Sequence, residues 1–276
     1  DSFVTIEPSS DGVTKTVGCD GEIVRSISPD DTYVVKLTVL QTSDANSYLQ
    51  NRLAQDRKSG TGMFPILIKD LKGGMVFSAD AAQKGMSLLA GKEGEMIAAE
   101  AVTLMDDPLL PGGLASSPFD DEGVATRTKA VIEKGKLTTL LHNLKTARKA
   151  GVQTTGNAAK AGYAGAVNVS PSNFYLAPGE KSKEQLLMDL GDGLVITEVS
   201  GLHAGANPIS GDFSLIAQGY TVKDGKRDQP VEQITVAGNF YQLLKNVRAV
   251  GSDLTFPGSS IGSPSVDVGE IAVAGK

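Results

Sequence analysis

Met75-Val76-Phe77-Ser78-Ala79-Asp80-Ala81-Ala82 marks the point where the chain changes grammar. Before it, apolar and polar residues alternate with period 2, the pattern of strands with one buried face. After it, helix-prone runs alternate with glycine turns and hairpins. No Pro/Gly-rich polar linker separates the halves, although joints between natural domains are usually exposed and rich in such residues. The phrase divides 1–78 from 79–276 and predicts an α+β chain. An N-terminal partial β-sandwich or barrel with one helix comes first, then a mixed α/β domain with several hairpins.

Upstream of the phrase, Phe3 to Ile6 opens a strand, and Val13 to Val17 and Glu22 to Ile27 flank the turn Cys19-Asp20-Gly21. Thr32 to Gln41 is rich in β-branched residues and reads as the strongest strand. Ser43 or Asp44 can cap a helix whose apolar face is Ala45, Tyr48, Leu49 and Leu53. Phe64 to Ile68 returns to strand.

Downstream, Ala79 to Leu89 and Gly94 to Val102 are expected to be helical, as is Thr139 to Lys149 with Gly151 as its stop. Ser182-Lys183-Glu184-Gln185 is a capping-box pattern opening a helix from Lys183 to Leu190. Leu194 to Val199 reads as a strand, and Lys223-Asp224-Gly225-Lys226 as a hairpin turn between Gly219 to Val222 and Val231 to Val236. A last helix over Phe240 to Val247 and a closing strand over Val266 to Val273 complete the pattern.

Composition bounds the function classes. The chain is 40% apolar and 21% charged, which argues against disorder. Its 32 glycines imply many tight turns, and the absence of tryptophan leaves the core to Val, Ile, Leu and Ala. A net charge of −6 offers no basic footprint for nucleic acid. The apolar runs are too short to span a bilayer. Asp1-Ser2-Phe3-Val4-Thr5-Ile6 has neither a basic n-region nor an apolar h-region, and with no Met the chain reads as beginning mid-protein, in the cytoplasm. The lone Cys19 allows no internal disulfide and reads as a half-buried strand residue, in a reducing compartment or in a protein indifferent to it.

No residue set is complete enough to be catalytic. His142 and His203 are not spaced as a ligand pair; His142 reads as a surface or helix-face residue, and His203 as a loop residue. Asp106-Asp107 and Asp120-Asp121-Glu122 are candidates for paired carboxylates or a hard-metal site. Beside Pro and Gly, with no base or nucleophile in company, they read better as turn formers. Thr155 to Gly162 lacks the Gly-Lys-Ser/Thr of a phosphate loop, and Ser210-Gly211-Asp212 lacks the frame of a nucleophile elbow.

Two resemblances add to this. Residues 1–82, through Asp1 to Ile6, Gly18-Cys19-Asp20-Gly21-Glu22, Leu37 to Ser43 and Phe64 to Asp70, resemble the tail tube subunit of Mu-like contractile phages. That resemblance implies a structural protein and self-association through the tube-like segment. Residues 79–276 resemble the C-terminal half of the TldD/PmbA family, in its PmbA (TldE) branch. The carrying phrases include Asp106-Asp107-Pro108, Gly113-Leu114-Ala115-Ser116, Phe119 to Val124, Thr155-Gly156-Asn157-Ala158, Gly193 to Glu198, Ser210 to Phe213 and Ile234 to Asn239.

The second resemblance implies a subunit of a peptidase complex that matures or degrades peptides. In that family the TldD partner carries zinc on a His-Glu-x-x-x-His helix and a Cys near its C-terminus. Here no His-Glu-x-x-x-His occurs, and Ser260-Ile261-Gly262 puts Ile261 in the Cys slot. The resemblance therefore implies a non-catalytic subunit with no cofactor of its own, zinc belonging to the TldD-like partner. Thr155, Gly156, Asn157 and His203 are its implied contacts with peptide or partner. A tail structural protein, or an engineered or recombined composite joined near residue 80, remain the alternatives.

Overall fold

The structure is a computed structural model that describes the segments Val4–Pro8, Val13–Val17, Ile23–Ile27 and Tyr33–Leu37, and residues 76–275 other than 163. The chain forms two compact units, Asp1–Phe64 and Pro65–Lys276. The helix expected after Ser43 and the strand expected at Phe64 to Ile68 lie outside the described residues.

In the first unit, β1 (Val4–Pro8), β2 (Val13–Val17), β3 (Ile23–Ile27) and β4 (Tyr33–Leu37) form two antiparallel pairs. β2 pairs with β3 as the hairpin expected around Asp20-Gly21, with Val17 opposite Ile23. β1 pairs with β4, Val4 opposite Leu37.

The second unit opens with α1 (Ala79–Gln83), a single turn-and-a-half that stops at Lys84 before the left-handed Gly85 (φ 72°). No helix follows over 94–102. Ile97, Ala98 and Val102 are buried there, and the amides of Ile97 and Ala98 both donate to the Gly135 carbonyl rather than within their own segment. An apolar run that sends its amides to a neighbouring turn has no helical ladder to propagate. β5 (Leu104–Asp106), β6 (Lys129–Glu133) and β7 (Lys136–Leu137) come next, with β6 and β7 joined through Lys134 and Gly135, both at positive φ. Positive φ at both central residues is the two-residue hairpin geometry that matches strand twist.

α2 spans Leu144–Ala150, five residues later than its apolar spacing suggests. Asn143 caps it by accepting the Thr146 amide at 2.9 Å, and the Thr146 hydroxyl takes the Asn143 amide at 3.1 Å. Leu140 and Leu141 precede the cap and lie in the core. Gly151 ends the helix at φ 70°, behind Arg148 and Lys149, which suit its negative end. β8 (Ala158–Ala159), β9 (Asn168–Val169) and β10 (Phe174–Leu176) lead to α3 (Lys183–Leu190), which carries the expected Ser182/Gln185 capping box.

The remaining elements are β11 (Gly193–Ser200), α4 (Leu202–Gly205), β12 (Asp212–Lys223), β13 (Lys226–Asn239) and α5 (Phe240–Asn246). Short strands close the unit: β14 (Ala249–Val250), β15 (Ile261–Gly262), β16 (Val266–Asp267) and β17 (Ala272–Ala274). The single closing strand expected over Val266 to Val273 is thus two. Gly269 turns the chain at φ 70° between them, and β16 and β17 join different sheets.

Two sheets organise the unit: a five-stranded sheet in the order β15-β10-β5-β6-β7, and a four-stranded one in the order β11-β12-β13-β17. The larger core packs Phe77, Leu89, Ile97, Val102, Val131, Ile132, Leu137 and Leu141 with Val247 and Val250. The smaller joins Leu215, Ala217, Ile234 and Val236 on one face of the long hairpin. Asp224 (φ 50°) and Gly225 (φ 71°) make the turn of that hairpin. Mixed sheets with few helices make the chain α+β.

Candidate functional site

The chemistry-bearing residues gather where β5, β10 and the segment before β8 meet. Asp106, fully buried at the end of β5, accepts three donors: Lys129 Nζ at 2.7 Å, Asn157 Nδ2 at 2.7 Å and the Ser172 amide at 2.6 Å. A buried carboxylate with a cation and two further donors on its two oxygens is a structural node, because its charge is compensated where it lies. Asp107 turns the next loop instead, accepting from the Leu109 amide and the Thr128 hydroxyl. Asp120 takes the amides of Glu122, Val124 and Ala158, each at 3.0 Å. Asp121 takes the Lys160 amide at 2.6 Å, and Glu122 the first amide of α2 at 2.8 Å. The acidic pairs form turns and splice loops together.

Thr155, Gly156 and Asn157 are all buried. The amides of Thr155 and Asn157 both donate to the His142 carbonyl, and the Thr155 hydroxyl accepts the His142 amide at 2.6 Å. Asn157 also donates to the Ser170 carbonyl at 3.1 Å, while its Oδ1 has no partner. This segment clasps the backbone around His142 and reaches Asp106. His142 is therefore a core residue, 5% exposed, and not a surface or helix-face histidine. Its Nδ1 is buried without a partner, and burial lowers its pKa below the usual histidine value, against weaker raising effects of Glu93 and the Thr146 backbone. The sequence hides this because the segment that covers His142 lies a dozen residues away. His203 falls in α4, and the cleft beside that helix is lined by Gly205, Asn207, Asp212 and Phe213. The structure joins the first three contact candidates in one clasp and places His203 on a separate element.

Ile261 lies on β15, the edge of the five-stranded sheet, and pairs in parallel with Phe174. Its side chain is 44% exposed, and Phe256 packs over the neighbouring Gly262 and against Tyr175 at 5.5 Å. Tyr175 has its pKa raised by burial and by the nearby Asp107. Asn173 was not singled out from the sequence, yet it is fully buried and anchors the 107–116 loop with both ends of its amide.

A family model described as the PmbA/TldA metallopeptidase C-terminal domain matches residues 65–275. The chain belongs to that family. Metalloprotease PmbA of Escherichia coli O157:H7 is 36% identical over 216 residues, covering 78% of this chain and 44% of the relative. A Thermotoga maritima structure described as a modulator of a DNA gyrase superposes with a TM-score of 0.68 at 49% identity, over 74% of this chain and 47% of that one. TldE from Thermococcus kodakarensis gives 0.67 at 30% identity, over 74% and 46%. This PmbA/TldA-family chain spans less than half the length of these relatives. The comparisons lend no support to the tail-tube resemblance of residues 1–82 or to a composite chain.

Zinc, the metal that the TldD/PmbA resemblance implies for the TldD partner, requires nitrogen, sulfur or oxygen donors in convergent sets. Ile261 offers none, and among the described residues no group of three or more His, Cys, Asp or Glu side chains is placed to hold an ion. The described residues do not fit a zinc site. Among them, no helix is long and apolar enough to cross a membrane.

Proposed function

We propose that this chain supplies the C-terminal part of a PmbA/TldE-like subunit that has no zinc site of its own. It works in the cytoplasm beside a zinc-bearing TldD-type peptidase subunit in peptide maturation or degradation. The observation that carries the reading is Ile261, an apolar, half-exposed side chain on edge strand β15, in the slot where the family resemblance implies a Cys ligand in the TldD partner. The family match and the likeness to TldE support it. In this reading Thr155, Gly156 and Asn157 shape the peptide- or partner-facing surface through the loops they clasp, and His203 contributes from α4. The division falls between Phe64 and Pro65 and not at residue 78, since Phe77 packs in the core of the second unit, and an intact mass of 28.7 kDa tests that the two units are covalently continuous.

The deciding experiment is co-expression of this chain, extended by a family-type N-terminal half, with a TldD-type subunit. The expected result is a stable complex that cleaves peptides, with no cleavage by this chain alone. Separate elution of the two subunits on size exclusion would sink the proposal.

A further inference from the structure

The loop from Asp107 to Gly123 carries large apolar side chains into solvent. Leu109, Leu114 and Phe119 are 52%, 73% and 59% exposed. Exposed apolar residues scattered singly need no explanation, but several on one ordered loop do. The loop is held from beneath by Asn173. Its Oδ1 accepts the Ala115 amide at 3.0 Å, and its Nδ2 donates to the Asp107 carbonyl at 2.7 Å and to Ser116 Oγ at 2.9 Å. The two limbs are tied to each other as well. The Ser117 amide donates to the Pro108 carbonyl at 2.9 Å, and the Ser116 hydroxyl to the Leu110 carbonyl at 2.6 Å. A surface fixed in this way loses little conformational freedom when something binds.

The same stretch contains Asp107, Asp120, Asp121 and Glu122 and no Lys, Arg or His. All four carboxylates accept from neutral donors, the amides of Leu109, Glu122, Val124, Ala158, Lys160 and Leu144 and the Thr128 hydroxyl. Among the described residues, the ion pairs fall elsewhere, at Asp80, Asp106, Asp189 and Glu270. The loop therefore joins apolar side chains in water to negative charge that no cation among the described residues pairs with.

We infer that the Asp107–Gly123 loop is a docking surface for a polypeptide segment that places an apolar side chain beside Lys or Arg. The apolar side chain is desolvated against Leu109, Leu114 and Phe119, and the cation meets the more accessible Asp121 and Glu122, not the buried Asp120, and sets the orientation. The inference rests on the chemistry of this loop and not on pairing with a peptidase subunit, so its test is separate from co-expression.

The test is fluorescence anisotropy of the full chain with short labelled peptides of alternating Leu-Lys, Leu-Glu or Ser-Lys sequence. Only Leu-Lys is expected to bind well. Leu114→Ser or Phe119→Ser weakens it by roughly tenfold. The double variant Asp121→Asn/Glu122→Gln keeps acceptors for the Lys160 and Leu144 amides; it too weakens binding and flattens its dependence on salt. Thermal melts monitored by circular dichroism, unchanged for Leu114→Ser and Phe119→Ser and still cooperative for the double variant, show that the variants fold. Equal binding of Leu-Glu, no binding of Leu-Lys, or binding that none of the variants alters overturns the inference. So does a dimer of the chain itself that Leu114→Ser dissolves and Leu-Lys peptides do not compete with.

Discussion

Lys129 Nζ lies 2.7 Å from Asp106 Oδ2, with the two side chains 9% and 0% exposed. The pair joins β6 to β5, and the same carboxylate reaches Asn157 and Ser172, so one buried charge fixes four segments of the chain. Removing the cation leaves that carboxylate buried and short of a partner, which costs more than the pair contributes. Lys129→Met is expected to lower stability by about 3–5 kcal/mol. The double variant Asp106→Asn/Lys129→Met, which buries no charge, recovers part of the loss. Urea denaturation of the three proteins measures both; a single variant as stable as the parent contradicts the node.

His142 gives stability a pH dependence whose sign follows from burial. Its folded pKa is lowered, so the unfolded chain takes up the proton first as pH falls. The contribution is intact above the ordinary histidine value of about 6.5 and is lost as pH drops from there through the folded pKa. Glu184, Asp212 and Asp253 also have lowered pKa values, but their losses fall in the more acidic carboxylate range. Denaturant midpoints at pH 8 and pH 5 are expected to differ, the acid one being lower, and His142→Gln narrows the gap. An equal gap in His142→Gln assigns the effect to other groups.

Local chemistry made parts of this fold legible and distant contacts hid the rest. The Asp224-Gly225 turn and the Ser182/Gln185 box are self-contained signals, and both elements form where those residues place them. Leu140, Leu141 and Leu144 have helical spacing, yet Asn143 and Thr146 cap the chain between them, and the reciprocal Asn-x-x-Thr pattern was the available sign. The run 94–102 is apolar enough for a helix, but the amides of Gly94, Ile97, Ala98 and Ala99 are claimed by the distant carbonyls of Leu137, Gly135 and Leu244. In the candidate site, Ile261 and the turn-forming acids are visible as residue types. The clasp of Thr155 and Asn157 on His142 is not, because it depends on two loops meeting.

Gly135 is the tightest of those meetings to test. It sits at φ 80° in the β6–β7 turn, and a Cβ there would collide with the carbonyl oxygen of Ala98 and lie 2.8 Å from that of Ala99. Both a left-handed backbone and a blocked space oppose any side chain. Gly135→Ala is expected to cost about 1–3 kcal/mol, beyond the cost at an open turn. Gly112→Ala is the control, since it has a similar φ of 72° with nothing within 4 Å. Melting temperatures decide the matter: equal losses at the two sites leave strain alone as the cause, with no role for the collision.

Asn173 is where fold and candidate surface depend on one side chain. It bonds the loop at Asp107, Ala115 and Ser116, and Gly113 passes so close that a Cβ there would meet Asn173 at 2.6 Å. Asn173→Ala removes a donor group and an acceptor at once and leaves the Ala115 amide and the Asp107 carbonyl without those partners. Each such loss costs about 1–3 kcal/mol where the group stays buried, and water entering the loosened loop offsets part of it. The loop is therefore expected to open locally before the domain unfolds, because its own side chains point outward and supply little packing. Limited proteolysis with chymotrypsin or thermolysin reads this out at Leu109, Leu114 and Phe119. The parent chain should resist at these bonds and Asn173→Ala should be cut there first. Cleavage at the same rate in both proteins would mean that the loop is not held by Asn173.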